Sequence, residues 1–416
     1  MSLPRRSLAV EAVPRLCPEG LCPEGLCPEG PCPEEPRPEE PRSEEPLAAE
    51  PLLLDWRPYR FSLPRTLVTA HGALRQREGW LLRLRGPQGT GWGEALAWPG
   101  AQTGLAEAVA PLHGAWRRQR LEALLPSLPA PLACALGMAL AELAGEPLAH
   151  DGCWLAAPTS AWLLPAGEAA LQALTECLAG LPRHGVGAAA GPGAAAACSA
   201  AAALPAVPLP AADAAGPPAA AFAAARSNAP ALTVKWKVAA LDDGLERHTL
   251  ERLLELLPPT ARLRLDANGG WDRSTAAAWA WRLAGETRLE WLEQPLDPAD
   301  AAGLLALARQ LPVALDESLR SPSPPPSPWP GWQVRRPLLE GDPRPLLAAL
   351  RQGQPRLMVS TALETGIGRR WLAHLAALQS RGPTPVAPGL APGWRPTGDL
   401  FAADPQRVWR AADHCR

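Results

Sequence analysis

Lysine is almost missing from this chain. Only Lys235 and Lys237 occur among the 40 Lys+Arg in 416 residues, so every other basic side chain is an arginine. Lysine is ordinarily a common residue, and the bias that removed it elsewhere has spared two positions two residues apart. Other absences narrow the function. A formal charge of −2, with no basic stretch interleaved with aromatics, speaks against nucleic-acid binding. The longest apolar run, near Ala188 to Val207, is alanine broken by Gly and Pro, a poor membrane span. Pro4, Arg5, Arg6, Glu11 and Pro14 interrupt any signal-peptide core, so a soluble cytoplasmic protein is expected. Of nine cysteines, Cys17, Cys22, Cys27 and Cys32 recur every five residues in a repeat and the others are scattered. That pattern lacks the close pairing of a zinc site and does not suggest a disulfide framework.

What is present divides the chain. Residues 1–50 are pentads such as Leu-Cys-Pro-Glu-Gly, and their proline frequency and glutamate excess predict a disordered tail. Residues 51–152 read as a small α+β unit: Arg60–Thr69, Gly79–Arg85 and Gly89–Glu94 alternate like strands, and Leu105–Leu148 favours helices. Residues 153–390 then alternate. Short apolar runs at Thr159–Leu164, Leu232–Val238, Arg262–Asp266, Arg288–Glu293, Pro312–Asp316, Gly331–Arg336, Arg356–Ser360 and Thr384–Ala387 are separated mostly by helical segments such as Glu168–Leu181. Eight strands punctuated by helices predict a closed parallel α/β barrel. An open doubly wound sheet is the competing architecture, but no glycine-rich phosphate turn follows a first strand. Residues 183–230, rich in Ala, Pro and Gly, read as a disordered insertion leaving the face opposite a barrel's active site. Pro322–Pro330 is a shorter proline-rich loop, and 391–416 is a C-terminal segment returning to the first unit.

On a strand, Lys235 and Lys237 face one way and Trp236 the other. Lysine can lose its proton when desolvated or crowded by charge, whereas arginine stays protonated. One of the pair is therefore a candidate proton-transfer base, its pKa lowered by its twin; a solvent-facing edge strand is the plainer account. Three carboxylates close later strands: Asp266 after Leu263-Arg264-Leu265, Glu293 after Leu289-Glu290-Trp291-Leu292, and Asp316 after Val313-Ala314-Leu315. Each alone suits a solvated strand end. Together, at the carboxyl ends of consecutive parallel strands, they converge over the mouth of a barrel and repel unless a cation sits among them. Hard oxygen donors without His or Cys point to Mg²⁺. Such an ion on a substrate carboxylate would stabilise the enediolate left when the α-proton departs.

The Lys-x-Lys strand followed by LDANGGW, LEQP and ALDES resembles the muconate-lactonising branch of the enolase superfamily, and within it the o-succinylbenzoate synthases. GWGEA, VRRPLLEGDP and STALETGIG add to the likeness, which covers roughly Trp56 to the C-terminus without the insertion. A Lys or His base beside Mg²⁺ is that superfamily's known pairing. The resemblance implies a modified TIM barrel, (β/α)7β, under an N-terminal α+β capping domain. It implies Asp266, Glu293 and Asp316 as Mg²⁺ ligands and Lys237 as the acid/base, with Lys235 beside it. The implied activity is dehydration of a small-molecule carboxylate to o-succinylbenzoate in menaquinone or phylloquinone synthesis. Dipeptide or N-acylamino-acid epimerases, muconate-type cycloisomerases and a non-catalytic scaffold are the alternatives. One departure from the family bears on the choice: Arg336 stands where a lysine is usual before the proline of the sixth strand, and arginine cannot serve as a second base.

Further candidates carry two readings each. Arg264 shares the inward face with Asp266 and either meets a substrate carboxylate or forms a structural ion pair. Ser360, Thr361, Gly389 and Leu390, at the ends of the last two strands, resemble loops that hold a distal carboxylate through backbone N–H groups, against simple loop packing. Asn268 orients a metal ligand or accommodates the turn before two glycines, and Glu317 supports the ligands from behind. His71 lies in a loop of the first unit, either closing over the mouth or simply exposed.

Overall fold

A computed structural model describes residues 51–98, 100–147, 153–180, 232–321 and 328–412. The repeat tail and the body of the insertion lie outside the described residues. The first unit begins with alternating strands β1 (Leu52–Thr69), β2 (Gly72–Gly86) and β3 (Gly89–Leu96), paired antiparallel. Gly72, at φ 107°, closes the tight β1–β2 turn. The β1–β2 register slips between Ser62 and Leu67, around Pro64, which has no N–H to give the ladder. Helix α1 (Gln102–Val109), strand β4 (Gly114–Trp116), α2 (Arg118–Leu124) and α3 (Ala130–Leu143) follow. The sheet order is β3-β2-β1-β4. β4 corrects the all-helical expectation for this stretch: Gly114, at φ 120°, turns the chain out of the helical region and onto the edge of β1. Leu132, Leu136 and Leu140 of α3 pack on Leu54, Leu82 and Leu84 of the sheet. The helix comes unusually close because β3 carries glycine there. A Cβ on Gly91 or Gly93 would lie 1.9 Å from the carbonyl oxygen of Ala139 or Ala135.

The second unit runs β5 (Trp162–Leu164), α4 (Ala169–Gly180), β6 (Thr233–Lys237), α5 (Asp243–Leu256), β7 (Arg262–Asp266), α6 (Arg273–Leu283), β8 (Leu289–Glu293), α7 (Ala301–Ala308), β9 (Val313–Leu315) and β10 (Trp332–Arg335). It ends with α8 (Pro337–Glu340), α9 (Arg344–Arg351), β11 (Leu357–Val359) and α10 (Gly366–Ser380). The strands form one parallel sheet ordered β11-β10-β9-β8-β7-β6-β5. The expected eighth strand pairs slightly later than its apolar run. Gly389 bridges Ser360, the Pro388 carbonyl accepts from Ala161 N–H at 2.9 Å, and the barrel closes between β11 and β5. Asp242, Asp272, Asp300 and Thr365 cap α5, α6, α7 and α10 through their side chains.

Alternate strand residues face outward, where Val234, Trp236, Leu263, Leu265 and Leu292 meet the helices. Inward, Trp291, Ala314, Val334 and Met358 fill the barrel. Past the barrel the chain returns to the first unit in α11 (Pro405–Ala411), where Trp409 meets Trp92 edge-on at 5.7 Å and its carbonyl accepts from Arg57 at 2.9 Å. Among the described residues no helix is long and apolar enough to cross a membrane.

Candidate active site

Two residues beyond the inward layer, six of the seven strands, β6 to β11, lead to a polar side chain. Lys237 lies level with Asp266, and Asp266 with Glu293. Asp316 follows β9, Arg336 follows β10 and Ser360 follows β11. Period-2 alternation therefore brings all six to the carboxyl-terminal rim, where barrel enzymes place their chemistry. The backbone there is unusual. Ala239, Asn268, Gln294, Leu363 and Ala391, each just past a strand, take φ between 40° and 67°, a conformation uncommon outside glycine.

Both lysines are inside: Lys235 is 6% and Lys237 5% exposed, while Asp266, Glu293 and Asp316 are fully buried. Lys237 Nζ donates to Asp266 Oδ2 at 2.6 Å and to Asn268 Oδ1 at 2.7 Å. Lys235 Nζ lies between Asp266 Oδ2 at 2.6 Å and Glu293 Oε1 at 2.5 Å. Across the mouth, Arg336 Nη2 is 2.7 Å from Asp316 Oδ2 and 3.7 Å from Glu293 Oε1, and Nη1 donates to the Thr361 carbonyl. Acids and cations thus alternate around the rim.

The charges are tightly balanced. Burial acts to raise the carboxyl of Asp266, but Lys235 and Lys237 reverse this and hold it well below its usual range. Asp316 is likewise depressed against burial, by Arg336 and Arg320. Glu293 is left over: burial and the charge of Asp266 push it up to about 7. For Lys235 the expected lowering is reversed. Burial opposes its charge, but Asp266 and Glu293 outweigh that and lift its pKa above the ordinary value.

Several expected site residues are occupied differently. Arg264 does point inward, but one layer beneath the rim. The β7–β8 register shifts at Leu263/Arg264 and leaves Glu290 as an extra residue, which takes Arg264 Nε at 2.6 Å. Arg264 also donates to the Ala387 carbonyl at 2.7 Å and stacks 4.1 Å over Trp291. Of its two expected roles, the structural ion pair is the one formed among the described residues. The backbone donors of the last two strands are also spent. Ser360 N donates to Arg335 O, Thr361 N to Gly389 O and Gly389 N to Val359 O, each at 2.9 Å. Leu390 N donates to Ser160 Oγ at 2.9 Å. Closing the barrel uses these four N–H groups, so they are not free to cradle a carboxylate. Asn268 does orient its neighbours, linking Lys237 to Glu317 Oε1 through Nδ2 at 2.9 Å. Burial and the charges of Asp316 and Asp266 raise the pKa of Glu317. His71 is exposed at the β1–β2 turn.

Two supporting residues escaped the sequence reading. Gln294 Oε1 accepts from the backbone N–H of Asp316 and of Ser318, both at 3.1 Å, holding the β9 end in place. Arg320 Nη1 reaches Asp316 at 2.8 Å. The four-residue spacing from Asp316 was the available signal for Arg320; nothing in sequence distance marked Gln294.

The donor set suits a hard divalent ion: three buried carboxylates at the ends of adjacent strands, with burial first and the charge of Asp266 second pushing Glu293 up to about 7. Lys235 and Arg336 supply the counter-charge here. With them between the acids, no three Asp, Glu, His or Cys side chains among the described residues enclose an ion.

Comparison with known proteins agrees with this architecture. Residues 219–324 match the family described as Enolase C-terminal domain-like. An o-succinylbenzoate synthase of Thermosynechococcus vestitus is 44% identical over 153 residues, 34% of this chain and 48% of that protein, so the match spans about half of that relative. The crystal structure of o-succinylbenzoate synthase from Thermosynechococcus elongatus BP-1, complexed with Mg in the active site, superposes with a TM-score of 0.60 and 28% identity. That superposition covers 86% of this chain and 99% of that one. A dipeptide epimerase from Enterococcus faecalis, complexed with Mg and L-Leu-L-Tyr, shares the fold at 16% identity and a TM-score of 0.57, over 81% of this chain and 90% of that one. Fold and rim together define a modified TIM barrel, (β/α)7β, beneath an α+β cap. These matches support membership of the enolase superfamily.

Proposed function

We propose that this protein is an o-succinylbenzoate synthase. Its substrate would be 2-succinyl-6-hydroxy-2,4-cyclohexadiene-1-carboxylate, which it dehydrates to o-succinylbenzoate for quinone synthesis. The observation that carries the reading is the asymmetry of the rim: both amines lie on β6, and the side chain across the mouth is Arg336, bonded to Asp316. Removal and return of a proton on one face of the substrate needs one base, whereas epimerisation needs two on opposite faces. Lys235 is bonded to two carboxylates and Lys237 to one carboxylate and an amide, which favours Lys237 as the acid/base.

Asp266, Glu293 and Asp316 would hold Mg²⁺, with Lys235 and Arg336 yielding their place as counter-charge. The ion would supply Lewis-acid stabilisation of the charge that develops on the substrate carboxylate. Neutral Lys237 takes the proton from C1, beside that carboxylate. The C1–H electrons form the C1=C6 bond as the C6–O bond breaks, and the Lys237 ammonium returns the proton to the leaving hydroxyl. Water departs from the face the proton left, and aromatisation makes the step downhill. Arg336 stays a fixed cation opposite Lys237, and Asn268 orients the amine.

Incubating the purified protein with the cyclohexadiene acid and Mg²⁺ should yield the aromatic product, and a chelator should stop its formation. Failure to form product, with α-proton exchange and inversion in a dipeptide, would establish the epimerase reading instead.

A further inference from the structure

The ends of the three acid-bearing strands meet at Gln294, which follows Glu293 directly and is fully buried. Its backbone N–H donates to the Ala314 carbonyl of β9 at 2.8 Å, and its carbonyl accepts from Gly269 N, just past β7, at 2.7 Å. Its side chain reaches across to β9 as well. Oε1 accepts from Asp316 N and Ser318 N, both at 3.1 Å, while Nε2 donates to Ser318 Oγ at 2.7 Å and to the Leu296 carbonyl at 2.9 Å. These bonds fill both the donor and the acceptor capacity of the amide. The residue holds φ at 40°, a conformation that a non-glycine residue seldom keeps unless its surroundings impose it.

The three acids are not held alike. Asp266 and Glu293 close strands that are paired on both sides, so the sheet fixes their backbone. Asp316 lies just past β9, where the strand gives way to a 3-10 turn, Glu317–Arg320, which its side chain does not cap. Gln294 takes the N–H groups of Asp316 and Ser318 at that break instead. Arg320 and Arg336 hold the Asp316 carboxylate itself, and an ion would have to displace a cation there. The Gln294 anchor does not compete with an ion, because it touches only the backbone of Asp316.

Ions differ in how much such an anchor matters. Mg²⁺ demands near-octahedral geometry at about 2.0–2.1 Å, whereas Ca²⁺ accepts about six to eight oxygens in irregular arrangements at about 2.3–2.6 Å. We infer that Gln294 is a positioning residue: by fixing Asp316 against Asp266 and Glu293, it makes the rim select Mg²⁺ over Ca²⁺. The inference rests on the proposed metal ligands and not on the identity of the substrate.

For the test, the full chain without substrate is loaded with Mn²⁺, and displacement of that ion by Mg²⁺ or by Ca²⁺ is followed by electron paramagnetic resonance. Wild type should prefer Mg²⁺. Gln294→Met, of similar length and without the amide, should weaken Mg²⁺ by about 10- to 100-fold, the usual effect of removing a group that orients a metal ligand, and Ca²⁺ by less than about 3-fold. Gln294→Glu keeps an oxygen facing Asp316 N and Ser318 N. Its added charge should tighten both ions while leaving the preference within about 2-fold of wild type. A general loss of stability would lower the melting point and weaken both ions together. The inference is overturned by a wild type that does not prefer Mg²⁺, by a Gln294→Met protein that keeps the preference or weakens both ions alike, or by a Gln294→Glu protein that abolishes it. If Gln294→Met does not fold, Gln294→Asn, whose amide is too short to reach β9, takes its place; the preference should drop, and an unchanged one overturns the inference. Wild type that binds no Mn²⁺ refutes the three carboxylates as a metal site and the proposed function with them, an outcome separate from a preference that Gln294→Met leaves intact.

Discussion

Lys237 is one of two lysines the chain has kept, and the proposed chemistry depends on its ability to exist uncharged. Lys237→Arg keeps the positive charge and most of the volume but removes that ability. Turnover should fall by about 10²- to 10⁴-fold, the usual contribution of general acid–base catalysis. Mg²⁺ binding and the far-ultraviolet circular dichroism should be retained. Substantial residual turnover would refute the base assignment. Arg336 is the complementary case. Its guanidinium grips Asp316 through Nε and Nη2, so Arg336→Lys exchanges a fork for a single point of attachment while preserving the charge. Dehydration should remain measurable in a direct assay of the aromatic product. Complete loss would mean that the guanidinium does more than hold a charge opposite Lys237. The lysine pair and the three acids were visible from residue type and spacing. The partners of Arg264 were not, because a one-residue register shift decides whether Glu290 reaches it.

At the scale of elements, carboxylates of the cap fasten it to the barrel: Glu142 accepts from Arg370 and Trp371, Glu122 from Arg344, and Glu94 is the most deeply engaged. Glu94, near the end of β3, is fully buried and accepts from Tyr59 OH at 2.6 Å, from Thr365 N at 2.9 Å and Oγ1 at 2.5 Å, and from Gly368 N at 2.9 Å. Two of these donors are backbone N–H groups at the start of α10, where a helix welcomes negative charge. Burial nevertheless raises its pKa. GWGEA reads as a turn and a strand end; that its glutamate caps a helix about 270 residues later is a property of the folded chain. Glu94→Gln puts an amide nitrogen where two hydroxyls and two backbone N–H groups now donate, and the N–H groups cannot turn to accept. Stability should fall by about 2–3 kcal/mol in chemical denaturation, the cost of hydrogen bonds to a charged group. KM should rise more than kcat falls, because the displaced element belongs to the cap sheet whereas the proposed base stays on β6.

Across the whole molecule, the barrel's first and last parts meet at His374 of α10. It is 1% exposed, its Nδ1 accepts from Leu155 N at 3.2 Å, and its ring meets Trp154 edge-on. Burial, then Arg351 and Arg381, hold its pKa down to about 4. The unfolded chain, with an ordinary histidine near 6.5, takes up that proton first as the pH falls. The contribution of neutral His374 to stability is therefore complete above about pH 6.5 and is lost progressively down to about pH 4. Over that window the denaturation midpoint of wild type should fall more steeply than that of His374→Gln. The closed barrel, its strand positions and the carboxylates at its mouth followed from composition, period-2 alternation and residue type, because these are local properties of the chain. The sharing of Asp266 by both lysines and the consumption of the last strands' N–H groups were settled by the tertiary fold. Each depends on contacts of 2.6 to 2.9 Å between segments far apart in the chain, and those contacts exist only once the barrel has closed.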